Sequence, residues 1–405
     1  AAVVLTGTIE ISKAFAGFAN PSVLLVVVAF LVAQAVVKSG LGRRVSLLIV
    51  SAFGRSPLGL AYSVVLTDAL IAPAFPSNTA RGGVLFPVVL SLAQGAGSKP
   101  EDPEGRRLGG YLMFIGMASL AISSGLWLTA TSVNPIGAQI AGKFGVDVGF
   151  GRWLIAASIP TIAAILLLPL VVRFLFSPGV RETPDAPRAA REALASMGSM
   201  TRDELITAAA FAVMVTGWIL ADSLKLSVTA VAFAGLGVLL ATSVLTLDDI
   251  AKQGDTLATY LWLAVLFALS GQLNELGFMG YVGERLASGL EGLPWQVVYV
   301  ALLVLYVLLH YLFVSQTSQV LALLAVFLAV GVKDGVPAPL LCFALLFASS
   351  YFSVITPQGG SQNVIFVASG YLTQRELYRM GLLTTAFFLT VFLLLGTPWL
   401  LFVTR

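Results

Sequence analysis

The sequence is short of charge. Of its 405 residues only 11% are Asp, Glu, Lys or Arg, against about 25% in an ordinary soluble domain. That shortage excludes a soluble enzyme, a disordered chain and a nucleic-acid binder. Cysteine occurs once, as Cys342 inside an apolar run, so neither an intrachain disulfide nor a cysteine-based metal cluster is open to the chain. Histidine also occurs once, as His310, which excludes a His-rich zinc site and any Ser-His-Asp triad away from that residue. What fills the sequence is apolar, 58% of it. The net charge of +3 is carried mainly in the loops and so reports topology rather than an acidic partner. The composition predicts an all-α, polytopic membrane protein whose main partner is the lipid bilayer.

Runs free of charged residues mark the crossings. Three of them, 108–142, 292–332 and 335–374, are too long for one straight crossing of roughly 20 residues. Each must hold a crossing plus a break or a re-entrant turn. Polar clusters say where. Pro76-Ser77-Asn78-Thr79 lies at the centre of 57–95, and Ser315-Gln316-Thr317-Ser318-Gln319 at the centre of 293–331. Both are expected to be tips of helical hairpins that enter and leave on one side. The stretches from Thr129 to Pro135 and from Thr356 to Asn363 are expected to be unwound centres of broken helices, spanning about 108–142 and 337–374. Irregular backbone at membrane depth is tolerated only where protein or a water-filled cavity covers it.

The order of crossing, arm, hairpin, broken crossing and final crossing occurs twice. It predicts a first repeat over 1–178, a solvated cytoplasmic linker over 179–203 rich in Arg, Pro and Ala, and a second repeat over 204–405. The arms 41–54 and 278–290 are amphipathic and expected to lie flat on the membrane. Two crossings precede the second repeat but only the stub 1–9 precedes the first. The native chain is therefore expected to carry about 40–60 further N-terminal residues, one to two spans' worth. With 173–203 cytoplasmic, fifteen Lys and Arg fall inside and seven outside, and Arg81 lies in the membrane. This obeys the positive-inside rule and opens the two hairpins to opposite sides. Inverted repeats of this kind are the mark of a secondary transporter. The expected location is a bacterial inner membrane.

A hairpin tip collects free backbone N–H groups and the positive end of a helix dipole, which favours an anion. Two such tips facing each other suit a substrate with two carboxylates. The side chains expected to line that site are Ser77, Asn78 and Thr79 on the first tip and Ser315, Gln316 and Thr317 on the second. Thr131, Asn134, Thr356 and Asn363 join them from the broken helices. Arg81, just past the first tip, reads as a fixed cation beside the anion; pairing with Asp68 or a hairpin carbonyl is the structural alternative. His310 is either a second cation tuning the site or a structural hydrogen-bond partner. Asp68 reads as a helix-pairing or interfacial acid rather than a proton carrier.

The run from Pro76 through Arg81 to Gly83, followed by Phe86-Pro87, resembles the first-hairpin motif of the divalent anion/sodium symporter family. Its Arg form is similar to that of the citrate/succinate and plastid 2-oxoglutarate/malate exchangers. His310 to Thr317 resembles the second hairpin of the same branch, with Ser-Gln-Thr in place of the more usual Ser-Asn-Thr, and Ala368 to Leu372 resembles the helix after the second break. The resemblance implies a homodimer with a scaffold half and a moving transport half, and a site for small di- or tricarboxylates at the two tips. It implies no cofactor for the exchangers. Sodium, with Ser77 and Asn78 among its ligands, belongs to the alternative, a sodium-coupled symporter. The broken helices read Ser132-Val133-Asn134-Pro135 and Thr356-Pro357-Gln358-Gly359, a departure from the sodium-coupled pattern. An intramembrane enzyme lacks its motifs here, and an anion channel would not require substrate on the far side. The expected function is exchange of succinate-, malate-, 2-oxoglutarate- or citrate-type acids by an elevator mechanism.

Overall fold

A computed structural model describes residues 2–278, 281, 285, 289, 292–313 and 315–404. Every regular element among them is helical. Among the described residues seven helices are long and apolar enough to cross a bilayer. Helices are what such sequence must form, because lipid offers no partner to an unsatisfied backbone group.

Local chemistry sets the boundaries. Asn20 accepts from the backbone N–H of Ser22 and Val23 and starts Pro21–Ser39, with proline at the first turn where its missing N–H costs nothing. Gly40, at φ +81°, ends that helix and turns the chain directly into the amphipathic arm Leu41–Phe53. Ser56 then caps Pro57–Ile71, the outgoing arm of the first hairpin. A short 3₁₀ turn, Ala72–Ala74, reverses the chain, which returns as Asn78–Gly95. The second hairpin runs out as Trp295–Leu309, turns through His310–Leu312 and returns as Gln316–Lys333. The first pair of arms thus covers 57–95 and the second 295–333.

Each hairpin packs on the broken helix of its own half. The two arms of the first lie against Arg106–Ser123, which is buried from Leu108 to its end. In the second half Trp295–Leu309 lies against Ala338–Tyr351, buried from Leu340 onward. After each break the chain crosses over. Val133–Gly142 packs on the returning arm of the second hairpin, and Ser361–Val367 on that of the first. A separate layer is built from Pro21–Ser39, Arg202–Ile219, Val228–Ala241 and Gly254–Glu275.

Three expectations change. The breaks fall earlier than expected, over 124–132 and 352–360, with a 3₁₀ turn at Pro357–Gly359. Asn134 and Pro135 therefore sit in the first turn of a helix rather than in unwound chain, and so does Asn363. A first turn tolerates proline because its N–H groups have no intrahelical acceptor. The linker is not simply solvated. Asp185–Met197 is a helix packed on the arm Leu41–Phe53, with Pro187 and Ala190 buried beneath it. Its small residues recur at helical spacing and make one face apolar. The second arm, expected over 278–290, lies largely outside the described residues.

Candidate functional site

The two tips are built alike. Ser77 and Ser315 both hold extended backbone, at φ −145° and −129°. Each serine Oγ accepts from the N–H three residues on, at Ala80 (3.2 Å) and Ser318 (3.4 Å). Both serines are thus helix caps, which fixes where each returning arm begins. The breaks are tied to the tips beside them. Ser132 N donates to Pro76 O at 2.9 Å, and Thr129 Oγ1 to Pro73 O at 3.0 Å. In the second half His310 Nε2 lies 2.6 Å from Gly359 O.

The broken helices show the same internal likeness. Asn134 Nδ2 donates to Ser124 O (2.8 Å) and Trp127 O (3.0 Å), ten and seven residues before it. Asn363 Nδ2 donates to Ser353 O (2.7 Å) and Thr356 O (3.0 Å), again ten and seven before. These carbonyls are freed by the break, and one amide closes two of them. Both asparagines are fully buried.

The halves meet through corresponding side chains. Asn78 Nδ2 approaches Gln316 Oε1 at 3.4 Å, a long contact between residues 238 positions apart. Thr79 Oγ1 lies 2.5 Å from Ser361 Oγ, and Thr317 Oγ1 lies 3.5 Å from Ser132 Oγ. Beside these contacts is a cavity of about 200 Å³. Of the expected residues, Ser77, Asn78, Thr131, Ser315, Gln316 and Thr317 line it. Thr79 is exposed beside Ser361 and does not line it. Asn134, Asn363 and Thr356 do not line it: the two asparagines close carbonyls of the breaks from the helices that follow, and Thr356 lies in the second break. Sequence reasoning missed Ser132 and Ser361, although each stands two residues before an asparagine of a broken helix. It also missed Phe30 and Thr259, which reach the cavity from the separate helical layer and carry no local signal.

Among the described residues no charged side chain lines the cavity. Arg81 is fully buried behind it, its Nε 2.9 Å from Asp68 Oδ1. The fixed cation is therefore neutralised by a carboxylate. Rise counted along a single helical arm separates Asp68 from the tip, but the chain reverses at 72–77 and brings the outgoing and returning arms side by side. Asp68 Oδ2 in turn accepts from Ser119 (2.6 Å) and Ser123 (2.7 Å), so it does pair helices.

Arg81 has a second effect. Its Nη2 donates to Asn78 Oδ1 at 3.0 Å, and Ser124 Oγ donates to the same oxygen at 2.6 Å. Two donors fix the amide with its oxygen inward and leave Nδ2 toward Gln316. Gln316 Oε1 receives that contact, and its Nε2 is buried without a partner among the described residues. A buried donor left unmade is costly, and this one stands at a tip.

His310 lies at the other hairpin, 1% exposed. Its Nδ1 is 2.6 Å from Gln319 Oε1, whose Nε2 is committed to Tyr306 O at 2.8 Å. Both ring nitrogens thus lie against oxygens of the second hairpin and break, which makes His310 a hydrogen-bond partner within that half.

A family described as the sodium:sulfate symporter transmembrane region matches residues 1–404. The chain belongs to that family. Relatives within reach of it include YflS of Bacillus subtilis, provisionally named a malate transporter, 37% identical over 98% of this chain and 84% of that one. The chloroplast dicarboxylate transporter 2.1 of Arabidopsis thaliana is 35% identical over 98% of this chain and 72% of its own. The citrate/succinate antiporter of Escherichia coli K12 is 30% identical over 95% of this chain and 79% of its own. The crystal structure of the Alcanivorax borkumensis YdaH transporter shares the fold, with a TM-score of 0.64 at 18% identity, over all of this chain and 88% of that one. This member of the sodium:sulfate symporter family is a transporter rather than an enzyme, and a multi-pass protein of a bacterial inner membrane.

Proposed function

We propose that the chain exchanges di- or tricarboxylates of the succinate, malate, 2-oxoglutarate or citrate type, working as a homodimer with an elevator-type movement of the hairpin-bearing part against the separate helical layer. The observation that carries this reading is the pair of capped helix N-termini meeting at one cavity, with the Asn78 amide oriented toward it and the Gln316 amide donor unpartnered. Such a site offers hydrogen-bond donors and positive dipole ends to carboxylate oxygens. The carboxylate carriers among its relatives support the substrate class.

A sodium-coupled symporter is the second reading, with Ser77 and Asn78 as sodium ligands. The hydrogen bonds at the tip count against it. Asn78 Oδ1 already accepts from Arg81 and Ser124, and Ser77 Oγ caps Ala80. A sodium ion at Asn78 Oδ1 would have to displace a guanidinium donor and sit beside it.

Obligate exchange needs a reason for the empty carrier to stay put. Arg81 does not supply one, since Asp68 balances it. Nor does His310, which is held by Gln319 and the Gly359 carbonyl and does not line the cavity; exchange is supported instead by the antiporter among the relatives. The test is uptake of labelled acid into proteoliposomes. Strong uptake is expected only into vesicles preloaded with acid, unchanged by an inward sodium gradient. Sodium-driven uptake into empty vesicles would overturn exchange and establish the symporter.

A further inference from the structure

A larger cavity lies away from the tips. It holds about 720 Å³ between the arm Leu41–Phe53, the returning arm of the first hairpin and the linker helix Asp185–Met197. Leu47, Val50, Val84 and Val88 give it an apolar lining, and Arg43, Asp185 and Glu192 line it as well. A second cavity of about 570 Å³ adjoins it and shares Arg188. This one is basic: Arg55, Arg181, Arg188 and Arg191 line it against a single acid, Glu182.

Arg188 is already paired, with Asp185 at 2.7 Å. The side chains of Arg55, Arg181 and Arg191 have no hydrogen-bond or ion-pair partner among the described residues, and all three are exposed. Like charges gathered without counter-ions repel one another unless an anion joins them. Placement identifies the kind of anion. Leu48 and Phe53, on the arm that leads to Arg55, are more than half exposed, as befits a helix lying in the lipid boundary. The Lys/Arg distribution puts this face in the cytoplasmic leaflet. A basic cavity joined to an apolar one at this depth matches an amphiphile with an anionic head.

We propose that this pair of cavities binds an anionic phospholipid of the inner leaflet. Its phosphate sits among Arg55, Arg181 and Arg191, and an acyl chain lies along Val84 and Val88. The lipid then touches the linker helix, the arm and the first hairpin together, so its occupancy bears on how freely that hairpin moves against the arm.

The test is native mass spectrometry of the full chain released from vesicles of equal phosphatidylcholine and phosphatidylglycerol. Wild-type protein is expected to retain phosphatidylglycerol in preference to phosphatidylcholine. Arg55→Gln/Arg181→Gln/Arg191→Gln is expected to reduce that preference at least about tenfold, on the usual strength of one basic residue near an anionic membrane. Val88→Trp, which fills the apolar cavity and leaves the arginines intact, is expected to reduce it as well. Equal retention by wild type and the triple arginine variant would overturn the proposal. Undiminished retention in Val88→Trp would overturn the acyl-chain assignment and the two-cavity site with it. Displacement of the lipid by equimolar glycerol phosphate would also overturn it, assigning the arginines to a soluble anion.

Discussion

Arg81 carries its charge in a setting that cancels it, and its value to the site lies in direction rather than in field. By holding Asn78 Oδ1 it decides which end of that amide faces the cavity. The expected consequence separates the two effects. Arg81→Ala leaves Asp68 buried and unpaired, a defect of about 3–5 kcal/mol, and should lower the yield of folded protein. Arg81→Leu/Asp68→Leu removes both charges, so it should recover the yield, because apolar replacement of a buried pair is often neutral. It should still bind substrate less well, because Asn78 Oδ1 loses the Arg81 donor and keeps only the Ser124 hydroxyl to hold it. Recovery of both yield and affinity, measured by thermal melting and exchange kinetics, would mean that Asn78 needs no orienting. Gln316→Ala is a simpler case. It removes the unpartnered donor, so substrate affinity is expected to fall by about 1–3 kcal/mol with no loss of stability. A transport KM equal to that of wild type would exclude Gln316 from the site.

Among the elements, the linker helix Asp185–Met197 departs most from expectation. It is tied to the arm at both ends. Thr183 N and Oγ1 donate to Arg55 O and Gly54 O at 2.9 and 2.8 Å. At the other end Arg44 clasps Glu204 with two bonds, Nε to Oε1 at 2.6 Å and Nη2 to Oε2 at 3.0 Å. Glu204 also accepts from Thr201 N, closing the capping box that starts Arg202–Ile219. The Arg44 bond, aided by that capping bond, holds the Glu204 carboxyl below its ordinary range. A carboxyl with a lowered folded-state pKa stabilises the fold above its ordinary pKa and loses that effect as pH falls below it. Docking of the linker should therefore be firm at pH 7 and loosen as pH drops through and below the ordinary glutamate range, about 4.3. Hydrogen exchange over 185–197, corrected for intrinsic rates, should show this loss of protection. Glu204→Gln should show weakened protection already at pH 7 and little change with pH. A wild-type pattern in that variant would mean that Arg44 and Glu204 do not hold the linker.

Across the whole molecule, the two halves repeat one construction and then exchange parts. Each hairpin leans on its own broken helix, yet the segment after each break packs on the opposite hairpin. The cavity therefore exists only when both halves are in place, since corresponding residues supply it from either side. Topology is open to direct measurement by thiol labelling in the Cys342→Ser background. Ser196→Cys on the linker helix should react only from the cytoplasm, and Lys333→Cys at the end of the second hairpin only from outside. Both positions are exposed, whereas Ala190 is buried under the linker helix and Gly335 holds a left-handed φ of +83° that a cysteine would strain. Reaction of both from one side would end the inverted arrangement.

The features legible in the sequence are those that a few neighbouring residues decide. Apolar run length sets where a helix can cross. A serine followed by free N–H groups sets where a returning arm begins, so Ser77 and Ser315 could be read without a structure. Matching order revealed the repeat, because the same local signals occur twice. Only the tertiary structure decided who meets whom. Asp68 reaches Arg81 because a chain reversal lays two arms together. Phe30 and Thr259 reach the cavity because a separate layer packs against the tips. The linker docks because one small-residue face finds the arm. Hydropathy and capping act within about four residues along the chain, whereas these contacts depend on packing between helices distant in sequence, which no local signal specifies.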